Sequence, residues 1–257
     1  MLRWNHFPFF IFLSPLSSNL VFPSFQIGEK YIKYHFLTVY LKCGTIIYFK
    51  LAKMSVGQTA CSPLDWDREF QKLLKELSVA IHEAEGERKV TLARYQTAIA
   101  IGGYLGPRAK ELLHFTWFDF LGKSEKDVYE FKTEKNRKIY FNEKLLKLIS
   151  ANYKIIDPNN VHDFILESPK HPGKPISTRA FNKAFKKVLE NYNVITDNPS
   201  SHTLRKTFAY RVFDNKGKDE QALIFVGEVL GHSSIDYTRK YLGIKRNQIK
   251  EAYLSIH

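Results

Sequence analysis

Apolar residues recur at helical spacing in the part of the chain that begins near Pro63. They fall on one face of a 3.6-residue helix, and charged residues lie on the opposite face. Pro63 and Asp65 are typical of a helix start. A second helix is expected over Val90–Tyr104, ending in the glycines between positions 102 and 106. Both apolar faces indicate packing against a core. The first face comprises Trp66, Phe70, Leu73, Leu74, Leu77, Ala80 and Ile81.

The middle of the chain changes to an alternating pattern. Residues 116–141 alternate between apolar and polar side chains and contain turn residues, which predicts a small three-stranded antiparallel sheet. Residues 163–168 are expected to form a short buried segment. Residues 169–175 are rich in proline, glycine and lysine, which predicts a loop.

Helical patterns dominate the remainder. One helix is predicted over residues 142–153, and another from Ser177 or Thr178 to Tyr192. A third begins at Ser200 or Ser201 and is broken by Gly217. The last three cover residues 222–230, a short stretch around position 241, and residues 246–253. The fold class predicted from these patterns is α+β, mainly α-helical, with one small antiparallel sheet.

Residues 1–53 differ in composition from the rest of the chain. They are rich in aromatic residues, and Glu29 is the only acidic one. Their apolar runs are interrupted by prolines and by Lys42, and they are shorter than the roughly 18–20 residues that cross a membrane. We therefore predict no membrane partner. The range is interpreted as an unstructured extension, or as translated sequence upstream of a start at Met54.

Charge and cysteine content narrow the functional class. The 257 residues carry a formal net charge of +13. This excess favours a polyanionic partner, and nucleic acid before a membrane. The only cysteines are Cys43 and Cys61, which indicates neither a disulfide framework nor a zinc site and suits a reducing cytoplasm. We predict no metal and no cofactor.

Four residues between positions 202 and 241 combine phosphate-binding and nucleophilic chemistry. His202 and Arg205 are three residues apart, so they share a face of a helix. His232 lies in a Leu-Gly-His turn, and Tyr241 follows nine residues later. Arginine binds phosphate oxygens in a bidentate manner, histidine exchanges a proton near neutral pH, and a deprotonated tyrosine is a nucleophile.

This pattern resembles the C-terminal half of the catalytic domain of tyrosine recombinases, the phage integrase family. The family motif is His-x-x-Arg, then Leu-Gly-His, then a tyrosine about one helix later. The family spacing selects Tyr241 over Tyr237 as the nucleophile. The resemblance implies an integrase-type catalytic domain over residues 87–257.

The resemblance also assigns an upstream arginine and a lysine. Gly106-Pro107-Arg108 matches the family segment that carries the first catalytic arginine, and Glu111 matches its buttressing acid. Gly-Pro leads into a helix, so Arg108 is expected in the first helical turn. The alternative is an exposed Arg108 that pairs with Glu111. Lys132 is the candidate for the hairpin lysine of the family, with Lys135 as the second choice.

The resemblance implies how these residues act on a DNA phosphodiester. The two arginines clamp the non-bridging oxygens, and Tyr241 attacks phosphorus to give a 3′-phosphotyrosine link and a free 5′-hydroxyl. Lys132 protonates the departing 5′ oxygen. His202 accepts the tyrosine proton, and His232 donates a hydrogen bond to the phosphate. Each histidine could instead be structural. No metal or ATP is required.

Four further basic residues are predicted to contact DNA. Lys135 and Arg137 lie in the predicted hairpin, and Arg179 and Lys183 lie on the helix that begins near Ser177. The alternative for all four is an ordinary solvated surface.

The domain organisation departs from the family pattern. Residues 54–86 offer a short helical lead-in where family members usually have a separate helical domain that closes the DNA clamp. We predict a site-specific recombinase or integrase in the cytoplasm, associated with the nucleoid, that binds double-stranded DNA and self-associates on it as a dimer or tetramer. The alternatives are a type IB topoisomerase-like enzyme, and a DNA-binding module without turnover.

Overall fold

The computed structural model describes the backbone of residues 36–40, 46–50, 61–130, 135–244 and 253–256. Side chains are described for residues 61–129, 136–244 and 253–256. The chain divides into two units, residues 1–56 and 57–257. In the first unit, β1 (Phe36–Tyr40) pairs antiparallel with β2 (Ile46–Lys50). The prediction for residues 1–53 as a whole stays a prediction.

The second unit begins with the helices that the apolar pattern predicts. Asp65 caps a π-helical turn, Trp66–Gln71, by accepting from two backbone N–H groups, and α1 (Lys72–Glu83) continues from it. The next helix, α2 (Gly86–Leu105), is buried over most of its second half and ends at Gly106. It packs against α1 and against three later helices, so it is the centre of the fold.

The middle of the chain contains smaller sheets than predicted. A short helix, α3 (Ala109–His114), leads to a 3₁₀ turn, Trp117–Asp119. Antiparallel strands β3 (Glu125–Glu130) and β4 (Lys135–Tyr140) follow. The predicted third strand is wrong, because the Asp119 carboxylate accepts from the Thr116 backbone N–H and closes the 3₁₀ turn. Thr116 retains one isolated bridge to Phe164.

A second hairpin follows α4 (Glu143–Ile156). Strands β5 (Glu167–Ser168) and β6 (His171–Pro175) pair antiparallel, so the stretch predicted as a loop contains a strand. Its turn is closed by the Gly173 backbone N–H, which donates to the Glu167 carboxylate. Ile165 and Leu166 are buried just before β5, as predicted.

The last four helices form the part of the fold that carries the candidate residues. They are α5 (Thr178–Asn191), capped by Ser177, α6 (Ser201–Asn215), capped by Ser200, α7 (Glu220–Leu230) and α8 (Ile235–Leu242). Their positions confirm the sequence prediction. The terminal helix predicted over residues 246–253 lies almost wholly outside the described residues. In the described part of the chain, no helix is long and apolar enough to cross a membrane.

Helix α6 joins two hydrophobic clusters. Leu204 belongs to the larger cluster, which is built mainly from α1, α2, α4 and α5. Ala209 and Phe213 belong to a smaller one shared with α7 and α8. Gly102 allows α6 to approach α2 closely, because a Cβ at that position would lie 2.6 Å from Leu204 Cδ1. The first turns of α6 are thereby fixed against the end of α2. The predicted class, α+β and mainly helical, is confirmed.

Candidate active site

The turn after α2 places Arg108 beside an acidic partner. Gly106 adopts φ 59°, and Arg108 is the N-cap of α3, one residue before the helical turn in which it was expected. The Arg108 backbone N–H donates to Glu111 Oε2 at 2.9 Å, and its guanidinium lies 3.3 Å from Oε1. The pairing that the alternative interpretation expected is therefore present. The Arg108 side chain is only 25 % exposed.

Glu111 also contacts a second arginine. Arg137, on β4, lies 3.4 Å from Glu111 Oε2 and donates to the Val229 carbonyl at 3.0 Å. Its side chain is 12 % exposed. The sequence predicts that Arg137 contacts DNA, and that role stays a prediction. The structure places its guanidinium inside the fold, where it links β4 to α3 and α7.

Arg205 is buried at the meeting point of three helices. It donates through Nη1 to the Gly106 carbonyl and through Nη2 to the Leu230 carbonyl at 2.7 Å. These carbonyls lie at the C-terminal ends of α2 and α7, where the helix dipole favours a cation. Burial lowers the pKa of Arg205 from its ordinary value, and the nearby Tyr241 opposes this shift. Arg108, Arg137 and Glu111 also act electrostatically on Arg205.

Tyr241 turns its hydroxyl into this cluster. The hydroxyl is buried, and the guanidinium of Arg205 acts on it. Burial raises the pKa of the Tyr241 phenol well above its ordinary value, and the positive charge of Arg205 lowers it by less. Tyr237, the alternative nucleophile, is 50 % exposed. The two tyrosines thus differ in exposure, and the choice of Tyr241 as nucleophile stays a prediction.

His232 lies between α7 and α8. Gly231 ends α7 in the left-handed conformation, and the His232 backbone N–H then donates to the Gly227 carbonyl at 2.8 Å. Its ring Nδ1 is 3.0 Å from Thr238 Oγ1, and its ring centroid is 5.2 Å from that of Tyr241. The imidazole therefore lies edge-on to the candidate nucleophile.

His202 lies in the first turn of α6, and its side chain is exposed. Partial desolvation lowers the pKa of His202 below its ordinary value, and the charges of Arg205 and Lys206 lower it further. An imidazole with a lowered pKa is neutral at physiological pH, so it is able to accept a proton.

An open cleft connects His202 to Tyr241. Lys206 and Cys61 also line it, and neither was selected from the sequence. A signal for Lys206 existed, since it lies four residues after His202 and thus on the same helical face. Cys61 had no such signal, because its proximity depends on how a distant segment packs. The other lining residues are Ala109, Thr178, Asn182, Asn198, Ser200, Ser201, Tyr237 and Lys240.

The remaining candidates are placed as follows. Lys132 lies outside the described residues, and only the backbone of Lys135 is described, in β4. Arg179 and Lys183 are exposed on α5. They follow Thr178 and Asn182, which line the cleft. The structure therefore brings together Arg108, Arg205 and Tyr241. His232 lies next to the Tyr241 ring, and His202 lines the same cleft as Tyr241.

The chain is similar to known tyrosine recombinases. The model of the phage integrase family matches residues 71–248. Tyrosine recombinase XerD of Halalkalibacterium halodurans is 34 % identical over 97 residues, which is 37 % of this chain and 30 % of that protein. XerD of Staphylococcus aureus is 28 % identical over 201 residues, covering 76 % of this chain and 66 % of that protein. The chain thus spans less than two thirds of the length of these relatives.

Solved structures show the same fold. XerA recombinase is 21 % identical, with a TM-score of 0.53 over 75 % of this chain and 63 % of that one. XerH site-specific recombinase bound to its difH substrate in a pre-cleavage complex is 23 % identical. Its TM-score is 0.51 over 73 % of this chain and 52 % of that one.

Proposed function

Because this chain belongs to the phage integrase family, we propose that it is a site-specific recombinase that cuts and rejoins DNA through a 3′-phosphotyrosine intermediate. The observation that carries the proposal is the position of the Tyr241 hydroxyl. It is buried beside the guanidinium of Arg205, in a cluster that also contains Arg108. Two cations beside a nucleophile are the arrangement that attack on a phosphodiester requires.

The arginines neutralise the charge that develops on the phosphate. Arg205 donates two of its N–H groups to backbone carbonyls, and these bonds fix the plane of the guanidinium. Its remaining N–H groups can donate to a phosphate oxygen. Arg108 is held by Glu111, so its guanidinium is oriented before substrate arrives. Preorganised donors of this kind lower the barrier because they do not reorganise during the reaction.

Proton transfer requires a base and an acid. The raised pKa of Tyr241 means that its hydroxyl keeps its proton in the free protein. His202 lines the same cleft with a lowered pKa, and it takes the proton as Tyr241 Oη attacks phosphorus. The P–O bond to the 5′ oxygen breaks, and Lys132 gives that oxygen a proton. Reversal of these steps rejoins the strand.

The partner in this proposal is double-stranded DNA, and the protein self-associates on it. The net charge of +13 and the exposed basic residues of α5 support binding to a polyanion. The similar XerH site-specific recombinase was solved bound to its difH substrate, which supports the same class of partner.

A suicide substrate tests the assignment of the nucleophile. Such a DNA carries a nick close to the cleavage site. Cleavage then releases a short fragment with the free 5′-hydroxyl, which diffuses away. Because the strand cannot be rejoined, the covalent adduct accumulates. We expect wild type and Tyr237→Phe to form the adduct and Tyr241→Phe to form none, because phenylalanine lacks the attacking oxygen. Binding of DNA by Tyr241→Phe should be retained.

Two results would count against the proposal. An adduct in Tyr241→Phe that is lost in Tyr237→Phe would move the nucleophile to position 237. Absence of any adduct with wild type, across a library of duplex sequences to which the protein binds, would favour a DNA-binding module without turnover.

A further inference from the structure

Lys206 lines the cleft that also holds His202 and Tyr241, the two groups that exchange a proton in the proposed reaction. It follows Arg205 on α6, one helical turn after His202, and it lines the same cleft as Tyr241. Its ammonium nitrogen lies 5.6 Å from the centroid of the Tyr241 ring. A cation at this distance from an aromatic face is attracted by the ring.

The ammonium is held in place by a segment from the start of the second unit. Lys206 Nζ donates to the Cys61 carbonyl at 2.9 Å. The segment is itself fixed, since the Ser62 backbone N–H donates to the Asp197 carbonyl at 3.1 Å and the Leu64 N–H to Thr207 Oγ1 at 2.9 Å. Lys206 is therefore bonded to a rigid backbone acceptor and is not a freely moving surface lysine.

We propose that Lys206 is a positioning residue for cleavage: anchored by the Cys61 carbonyl, its ammonium steadies the ring of Tyr241 and places a positive charge beside His202. This inference rests on the proposed function, in which His202 accepts the Tyr241 proton. It assigns a role to a residue outside the motif and to the segment Cys61–Leu64 that precedes the first helix.

The charges around His202 give the sign of the effect. A positive charge disfavours the imidazolium form, so Lys206 helps to keep His202 neutral. The pKa of His202 is lowered first by desolvation, then by Arg205, and then by Lys206. Removal of Lys206 should raise that pKa, and the base would then become neutral only at higher pH. The other titratable groups facing the cleft are Cys61 from the preceding segment and Tyr237, Lys240 and Tyr241 from α8.

The test compares three single substitutions in the full chain. Lys206→Met keeps the length of the side chain and removes its charge, and Lys206→Arg keeps the charge and its donors. Lys240→Met removes one lysine charge from the same cleft, at a position where the side chain is exposed. Thermal unfolding of each variant establishes that it is folded.

The first readout is the rate of adduct formation at subsaturating suicide substrate between pH 5 and pH 9. This rate reports the ionisation of groups in the free enzyme. For Lys206→Met we expect the acidic limb of the pH–rate profile to move to higher pH. The plateau rate should fall about two- to fivefold, because a cation–π contact is lost. Lys206→Arg should keep the wild-type limb and plateau rate, and Lys240→Met should keep the wild-type position of the limb.

The second readout does not depend on activity. The ring resonances of His202, assigned by their loss in His202→Gln, give its titration by NMR without DNA. A titration midpoint that rises in Lys206→Met and returns in Lys206→Arg is the expected result, and it would stand even if wild type formed no adduct. The inference would be overturned if the titration midpoint of His202 were unchanged in Lys206→Met. It would also be overturned if Lys206→Met and Lys240→Met lost DNA affinity equally and the acidic limb of the pH–rate profile did not move. Lys206 would then be a simple phosphate contact.

Discussion

Arg108 and Arg205, the two arginines predicted to bind the phosphate, are held by different partners. Arg205 is 4 % exposed and donates to two backbone carbonyls at the ends of helices. Arg108 is at a helix N-terminus, more exposed, and paired with the adjacent Glu111. Arg205 therefore joins helices that are distant in sequence, whereas the contact of Arg108 with Glu111 is local to the start of α3.

This difference predicts separate effects on stability. Arg205→Lys should lower the free energy of unfolding by roughly 2–3 kcal/mol, because one ammonium cannot reach both carbonyls and a buried acceptor loses its partner. Arg108→Lys should cost less, about 1 kcal/mol, because an ammonium at this position keeps the positive charge beside the Glu111 carboxylate. Urea unfolding measures both values. Equal losses in the two variants would show that the bonds of Arg205 to the helix ends do not stabilise the fold.

At the level of secondary structure, the sequence predicted elements well where one local signal decided the outcome. Ser177 and Ser200 cap their helices as expected, and the glycines at positions 106 and 231 end α2 and α7. The pattern failed at Trp117–Asp119, where alternation suggested a strand. The carboxylate of Asp119 closes a turn there and pairs with Lys126 at 2.6 Å, a contact that depends on the folded hairpin.

Gly106 connects the end of α2 to the site, which predicts a large effect of a methyl group. Its φ is 59°, and an added Cβ would lie 2.3 Å from Phe208 Cδ1 on α6. Gly106→Ala should therefore combine backbone strain of about 1 kcal/mol with overpacking of roughly 1–3 kcal/mol. Adduct formation should also fall, because the Gly106 carbonyl orients Arg205.

Gly122→Ala is the matched control for this prediction. Gly122 has a similar φ of 69°, but nothing lies within 4 Å of its added Cβ. Only the strain of about 1 kcal/mol is expected, with adduct formation unchanged. Thermal or urea unfolding of both variants compares them. If Gly106→Ala were no less stable than Gly122→Ala and fully active, the close contact between α2 and α6 would not position the site.

At the scale of the whole molecule, the sequence indicates candidate groups but not their environment. The resemblance to the family selects Arg205, His232 and Tyr241 as candidates. It could not reveal that the Tyr241 hydroxyl is buried, or that Arg137 turns inward to Glu111. It could not place the Cys61 carbonyl on Lys206 either, since 145 residues separate the two along the chain. Such environments depend on tertiary packing, which periodicity does not encode.

The distribution of charge over the molecule gives the last prediction, on binding to DNA. Each lysine that neutralises a phosphate releases about one counterion, so the affinity falls with salt in proportion to the number of such contacts. Lys183 is exposed on α5, directly after the cleft residue Asn182. We expect Lys183→Gln to weaken binding to duplex DNA of any sequence and to reduce the slope of log affinity against log salt by about 0.9.

Lys147→Gln removes the same charge from another exposed helix. Lys147 lies on α4 and pairs with Glu143 at 2.6 Å. Because its ammonium already has a carboxylate partner, loss of this lysine should leave the salt slope unchanged. Fluorescence anisotropy of a labelled duplex from 50 to 300 mM salt gives both slopes. If the two variants shifted the slope equally, the affinity would follow net charge alone, and α5 would not be the face that contacts the DNA backbone.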